Sequence, residues 1–204
     1  MNYFVTGIHT GSGKTIVSAI LCQALQADYW KPVQCGMEER DLDRVSALVN
    51  NEHSLFFEEA YRLQEPASPH QAARMEGIPI RLDALRPPDN GGNDLVIEGA
   101  GGVLVPLNDE EVIVDIAARF DAKVVLVADL YLGSINHTLL TVAELKSRGL
   151  PIKGIVFNGP DNPDSREIIL KKTGLKSLLQ LKPEREINQA IITKYAIELF
   201  NNWD

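Results

Sequence analysis

The stretch Asn2-Tyr3-Phe4-Val5-Thr6-Gly7-Ile8-His9-Thr10-Gly11-Ser12-Gly13-Lys14-Thr15 decides the fold. Residues 2–6 are rich in β-favouring types and read as a short buried strand. Residues 16–25, Ile-Val-Ser-Ala-Ile-Leu-Cys-Gln-Ala-Leu, are apolar on nearly every side, as in a helix packed on a sheet. A glycine-rich turn joins the two. Phosphate binding needs converging backbone N–H groups, a helix N-terminus behind them, a lysine, and a hydroxyl for Mg²⁺. Here Gly11 and Gly13 allow the tight backbone, Lys14 is placed to reach a transferred phosphoryl group, and Thr15 carries the hydroxyl. The strict spacing G-x-x-x-x-G-K-[ST] would put its first glycine at Ile8; Gly7 stands one position earlier, leaving five intervening residues. The bland alternative is a strand-to-helix turn with a solvated lysine. The strand before and the helix after favour a phosphate loop.

Outward from this loop the chain keeps an α/β rhythm. Residues 29–33 suggest a second strand carrying Lys31 at its end, and 43–50 and 69–76 suggest short helices. Residues 37–92 are the least patterned part and end in the breaker cluster Pro87-Pro88-Asp89-Asn90-Gly91-Gly92. Beyond it come a strand at 95–97 ending in Glu98, a helix at 109–120 and a buried strand at 123–127. A helix at 135–148 follows, with Ile135, Leu139, Val142 and Ala143 as its apolar stripe, then a strand at 152–157 and helices at 163–173 and 187–200. Strands alternating with helices imply βαβ units. The expected fold is a single α/β domain over 1–204, P-loop NTPase-like, with a mostly parallel sheet covered by helices on both faces.

Composition narrows the function. The 204 residues carry 20 basic against 28 acidic side chains, a net charge of −8, which speaks against nucleic-acid partners. The longest apolar run, Val124–Ala128, is far short of the roughly 18 residues a membrane helix needs. The first residues show no basic leader, so the expectation is a cytoplasmic protein that binds no membrane. Two cysteines, Cys22 and Cys35, and four scattered histidines fit no zinc pattern. A metal should therefore meet oxygen ligands. In open α/β sheets ligands bind at the carboxyl ends of strands, where Lys31, Glu98 and Asn158 all fall. Glu98, followed by Gly99-Ala100-Gly101-Gly102, is the natural second Mg²⁺ partner after Thr15. Asp41 or Asp43 could add a carboxylate, although an aspartate before a helix commonly caps it.

Five elements occur together in order: Gly7 to Thr15; Lys31-Pro32-Val33-Gln34-Cys35-Gly36; Ser68-Pro69-His70; Glu98-Gly99-Ala100-Gly101-Gly102 with Val105-Pro106-Leu107; and Gly133-Ser134-Ile135-Asn136-His137-Thr138-Leu139-Leu140-Thr141. Together they resemble the dethiobiotin synthetase family, whose phosphate loop also has the longer spacing. The resemblance implies an ATP-dependent enzyme acting on a diamino acid, 7,8-diaminononanoate, and CO₂. One amine captures CO₂ as a carbamate, ATP phosphorylates the carbamate, and the second amine closes a cyclic urea. It implies Mg²⁺ as cofactor, ATP as co-substrate, and Lys14 and Lys31 as catalytic cations, with Lys31 at the carbamate. ATP would be bound by Gly11, Ser12, Gly13, Lys14, Thr15, Ile16, Asp43, Glu98, Gly99, Ala100 and Gly101, with Asn158, Gly159 and Pro183 around the adenine. Thr15, Asp43 and Glu98 would hold the metal, Asp43 being preferred to Asp41 because Val45-Ser46-Ala47-Leu48 follows it at the family's offset. Substrate would meet Thr10, Lys31, Cys35, and Ser134, Ile135 and Asn136 at a helix start contributed by the partner subunit of a homodimer.

The chain departs from the family at Cys35, where a small hydroxyl is common, at His9, often aspartate, and at Tyr131, in a stretch that often carries arginine. A partitioning-type or regulatory P-loop ATPase without ligase activity is the alternative. Residues 7–12 lack the early second lysine that partitioning ATPases usually carry.

Overall fold

The computed structural model describes residues 1–203. The strands are β1 (Asn2–Gly7), β2 (Asp28–Trp30), β3 (Val33–Cys35), β4 (Phe56–Phe57), β5 (Tyr61–Leu63), β6 (Leu95–Gly102), β7 (Lys123–Asp129), β8 (Ile152–Asn158) and β9 (Ser177–Leu181). The helices are α1 (Lys14–Leu25), α2 (Asp41–Leu48), α3 (Pro69–Glu76), α4 (Asp115–Arg119), α5 (Ser134–Ser147), α6 (Pro163–Thr173) and α7 (Gln189–Asn201). Seven strands form one sheet in the order β4-β2-β6-β1-β7-β8-β9, every neighbouring pair parallel. β3 and β5 pair in parallel as a separate two-stranded sheet.

Alternation along the central strands explains the two covered faces. Tyr3 and Val5 of β1, with Val125 and Val127 of β7, pack under Ile20 and Leu21 of α1 and Ile192 and Leu199 of α7. Phe4 and Val124 face the other way, towards Ala72 of α3 and Ile116 of α4, while Leu126 and Phe157 meet Val142 of α5 and Ile169 of α6. Each fully buried Leu, Ile or Phe contributes roughly 1.5–3 kcal/mol. The sheet is thus a stiff base for the loops at its carboxyl edge.

Several expectations need correction, among them the strand at 95–97, which does not end at Glu98 but runs through the glycines to Gly102 as β6. The run 29–33 is not one strand: Pro32 has no N–H to give a ladder, so β2 stops at Trp30 and β3 starts in another sheet. The helix expected over 109–120 shrinks to α4. Ahead of it, Asn108 Oδ1 accepts from the backbone N–H groups of Glu110 and Glu111, both at 2.9 Å, and Pro106 bridges Val112. Those side-chain bonds offer the backbone an alternative to helix. On α5 the buried face is Ser134, Thr138, Thr141, Val142 and Leu145, and Ala143 is exposed. Thr138 and Thr141 can be buried because their hydroxyls donate to the carbonyls of Ser134 and His137, at 2.7 and 2.8 Å. β9, not anticipated, adds an edge strand whose Leu178 and Leu179 are buried.

Candidate active site

A cleft of about 730 Å³ opens at the carboxyl edge, between the β1–α1 loop, the end of β6 and the segment around β3 and α2. Gly13, the residue before α1, has φ 101°, and a Cβ there would lie 2.5 Å from Asn158 Nδ2. Only glycine suits both the backbone and the space. No side chain caps α1, so its first amides are left to an anion. From β8, Asn158 Nδ2 donates to the Ser12 carbonyl at 2.9 Å and braces the loop from behind.

The acidic half converges on one hydroxyl. Thr15 Oγ1 lies 2.7 Å from Asp41 Oδ1 and 3.0 Å from Glu98 Oε1. A hydroxyl has a single proton to give, so Thr15 can donate to one of the two carboxylates at a time. Lys31 Nζ donates to the other Asp41 oxygen, Oδ2, as an ion pair. Tyr29, buried in β2, donates its phenol proton to Glu98 Oε2 at 3.0 Å.

Charge follows burial. Burial pushes the Glu98 carboxyl above the usual range, and the Lys31 charge only partly opposes this. Burial would also raise Asp41, but the charge and hydrogen bond of Lys31 win and hold it below its ordinary value. Lys31 is raised: its desolvation is outweighed by Glu98 and Asp41. Lys14, by contrast, is lowered, since burial dominates the pull of Glu98. Its Nζ lies 3.4 Å from the His9 carbonyl of its own loop.

Asp43 does not join this group. It is 68% exposed and pairs with Arg40 Nη1 at 3.7 Å. Two residues along an α-helix turn a side chain by about 200°, so Asp41 and Asp43 cannot both face Thr15. Helix α2 starts at Asp41, two residues before the expected 43, and that shift selects Asp41. Arg40 anchors the start through Glu58 and the buried Glu59, at 2.6 and 2.7 Å.

Thr10, Gly11, Gly13, Ile16, Cys35, Ala100 and Gly101 line the same cleft. Gly99 is turned away: a Cβ there would meet Phe4 at 2.8 Å. The Cys35 thiol is pushed up to about 11 by burial, against the Lys31 charge, the opposite of the lowered values that mark reactive cysteines. Gly159 donates its N–H to the Leu181 carbonyl at 3.0 Å, bringing the β8 and β9 ends together, with Pro183 exposed just beyond. Ser134, Ile135 and Asn136 form the first turn of α5 and do not line the cleft of their own chain. Tyr29 was missed because its signal is tertiary. The β2–β6 register pairs it with Val96, and Glu98 is two residues further on the same strand face.

The donor set is all oxygen: one hydroxyl and two carboxylates that share its single proton. That suits a hard divalent cation completed by phosphate oxygens and water. Among the described residues no group of three or more His, Cys, Asp or Glu is disposed to hold a metal by itself.

Parallel sheet, uncapped α1 and lysine-bearing glycine loop define a P-loop nucleotide-binding protein, and residues 1–190 match a family described as an AAA domain. A ParA family ATPase from Chlorobium tepidum TLS superposes with a TM-score of 0.57 over 96% of this chain and 97% of its own, at 12% identity, a likeness of fold alone. The chain is 59% identical to the ATP-dependent dethiobiotin synthetase of Cytophaga hutchinsonii, over 98% of both chains. It is 46% identical to that of Christiangramia forsetii, over 96% of this chain and 94% of the other. The chain belongs to the dethiobiotin synthetase family.

Proposed function

We propose that this chain makes dethiobiotin from 7,8-diaminononanoate, CO₂ and ATP, as an ATP-dependent cyclo-ligase of biotin synthesis, with Mg²⁺ at the Thr15–Asp41–Glu98 cluster. The activity and its use of ATP follow from membership of the family. The observation that carries the site reading is the meeting of the phosphate loop with Asp41 and the buried Lys31 in one cleft.

The chemistry asks little covalent help of the protein. A substrate amine adds to CO₂ and loses a proton, giving a carbamate. A carbamate oxygen displaces ADP from the γ-phosphoryl group, and the second amine attacks the carbonyl and expels phosphate. Each step is mainly alignment and charge neutralisation. Lys14 and the free amides of α1 hold the phosphates, and Lys31 faces the carbamate oxygens. Mg²⁺, when bound, neutralises charge on the β- and γ-phosphate oxygens. Asn158, Gly159 and the exposed Pro183 turn would hold the adenine. Thr10 and Cys35 contact the diamine, with Cys35 a packed, weakly donating contact and not a nucleophile.

The protein acts as a single domain and as a homodimer in this reading, in the cytoplasm. What supports the dimer is that the α5 start lies outside its own cleft, while Leu104 and Leu140 are exposed along one groove beside the phosphate loop. A second subunit would cover them and supply Ser134–Asn136 to the substrate carboxylate, which a helix N-terminus suits. No helix among the described residues is long and apolar enough to cross a membrane.

The test is phosphate release from ATP with and without diamine and bicarbonate. Release that requires both, with dethiobiotin formed in equal amount, is expected. Hydrolysis indifferent to the diamine would favour the plain ATPase alternative.

A further inference from the structure

We infer that Tyr29 is a positioning residue for the metal–nucleotide site, acting through Glu98. The inference rests on the site reading above. Tyr29 is fully buried, beside Val96 of β6, and does not line the cleft, so it touches neither nucleotide nor substrate. Its hydroxyl has one proton, spent on Glu98 Oε2 at 3.0 Å, while Oε1 of the same carboxylate faces Thr15 at 3.0 Å. Tyr29 thus anchors Oε2 from outside the cleft and, with the Ser18 hydroxyl beside the same carboxylate, restrains its rotation. A phenol keeps its proton at neutral pH, so Tyr29 is the donor in this bond.

The arrangement divides labour between charge and direction. Lys14 and Lys31 offset the negative charge of Glu98. Tyr29 adds no charge but keeps Oε1 turned to the cleft. A cation in the cleft would be held by Thr15, Asp41 and Glu98, and the Tyr29 bond to the other Glu98 oxygen would keep that carboxylate in place. Partners of this kind, one bond removed from a metal, are typically worth about 10–100-fold in metal affinity.

Tyr29→Phe keeps the ring and removes the bond. Mn²⁺ binding in the presence of ADP, followed by electron paramagnetic resonance, should weaken at least about tenfold. ADP binding in excess EDTA, followed by calorimetry, should stay within about twofold of wild type. Tyr29→Met, which also lacks the donor but can flex to fill the space, should show the same split and serves if the phenylalanine variant does not fold. Equal Mn²⁺ affinity in variant and wild type would overturn the inference. So would parallel loss of ADP binding with and without metal, the mark of a merely structural role. Wild type that bound ADP but recruited no Mn²⁺ would instead sink the metal-site reading on which the inference stands.

Discussion

The phosphate loop between β1 and α1 and the acidic corner between β3 and α2 face each other across one cleft, yet different physics holds them. The loop is local. Its shape follows from Gly13 in a left-handed conformation and from one uninterrupted strand–turn–helix unit. The corner is assembled from distance: Asp41 reaches Thr15 from 26 residues away and Glu98 from 83. Its position depends on where β2 breaks, where α2 begins, and on Arg40 bonding to the buried Glu59. Changes to the loop should remove chemistry and leave the fold intact. Changes to the corner should disturb chemistry and stability together.

Lys14→Ala is the severest test of the local half. Losing a cation aimed at developing charge should cost roughly 10²–10³-fold in kcat, with thermal unfolding little changed. A large drop in Tm would show that the loop is as dependent on tertiary support as the corner.

For the corner, Asp41→Asn and Asp43→Asn form a matched pair. Asp41→Asn should lower kcat/KM for Mg·ATP by about 10–100-fold, and Asp43→Asn should stay within about twofold. Reversal of that order would return the metal role to Asp43. Asp41 also makes an acid-stability prediction. Lys31 holds its carboxyl below the ordinary value, so the pair stabilises the fold above the unfolded carboxyl's value of about 3.9. That contribution is lost as pH falls through the lower folded value. In urea titrations without metal, the gap between wild type and Asp41→Asn should be widest above pH 4 and close below it. A constant gap would mean that Asp41 acts by shape and not by charge.

The smallest effect is expected at Cys35. A thiol pushed up to about 11 carries roughly a hundredfold less thiolate at pH 8 than one at the ordinary 9. Iodoacetamide should label it slowly, and Cys35→Ser should change diamine affinity by tenfold at most, the size of one neutral hydrogen bond. Fast labelling with loss of activity would give the corner a reactive group that the cleft's geometry does not suggest.

Legibility follows the same division. Lys31 and Glu98 stood out without coordinates because each follows an apolar run and precedes a proline or a glycine run. Asp41 and Asp43 could not be told apart, since the choice turns on a two-residue shift in where α2 starts. β4, β5 and β9 went unseen because they are short edge or satellite strands that carry little periodicity. The stripe on α5 was misplaced because threonines took buried positions, their hydroxyls satisfied by their own helix.

By itself, then, the order of residues determined the phosphate loop, the α/β alternation and the family likeness, because these rest on backbone conformation and periodicity within short spans. Only the tertiary structure decided which aspartate meets Thr15, that Lys31 is paired with it, and that Tyr29 holds Glu98. Those are contacts between strands whose pairing and register arise from packing the whole sheet. At a buried cluster of charges, a side chain pointing a few ångströms elsewhere is solvated instead, as Asp43 is.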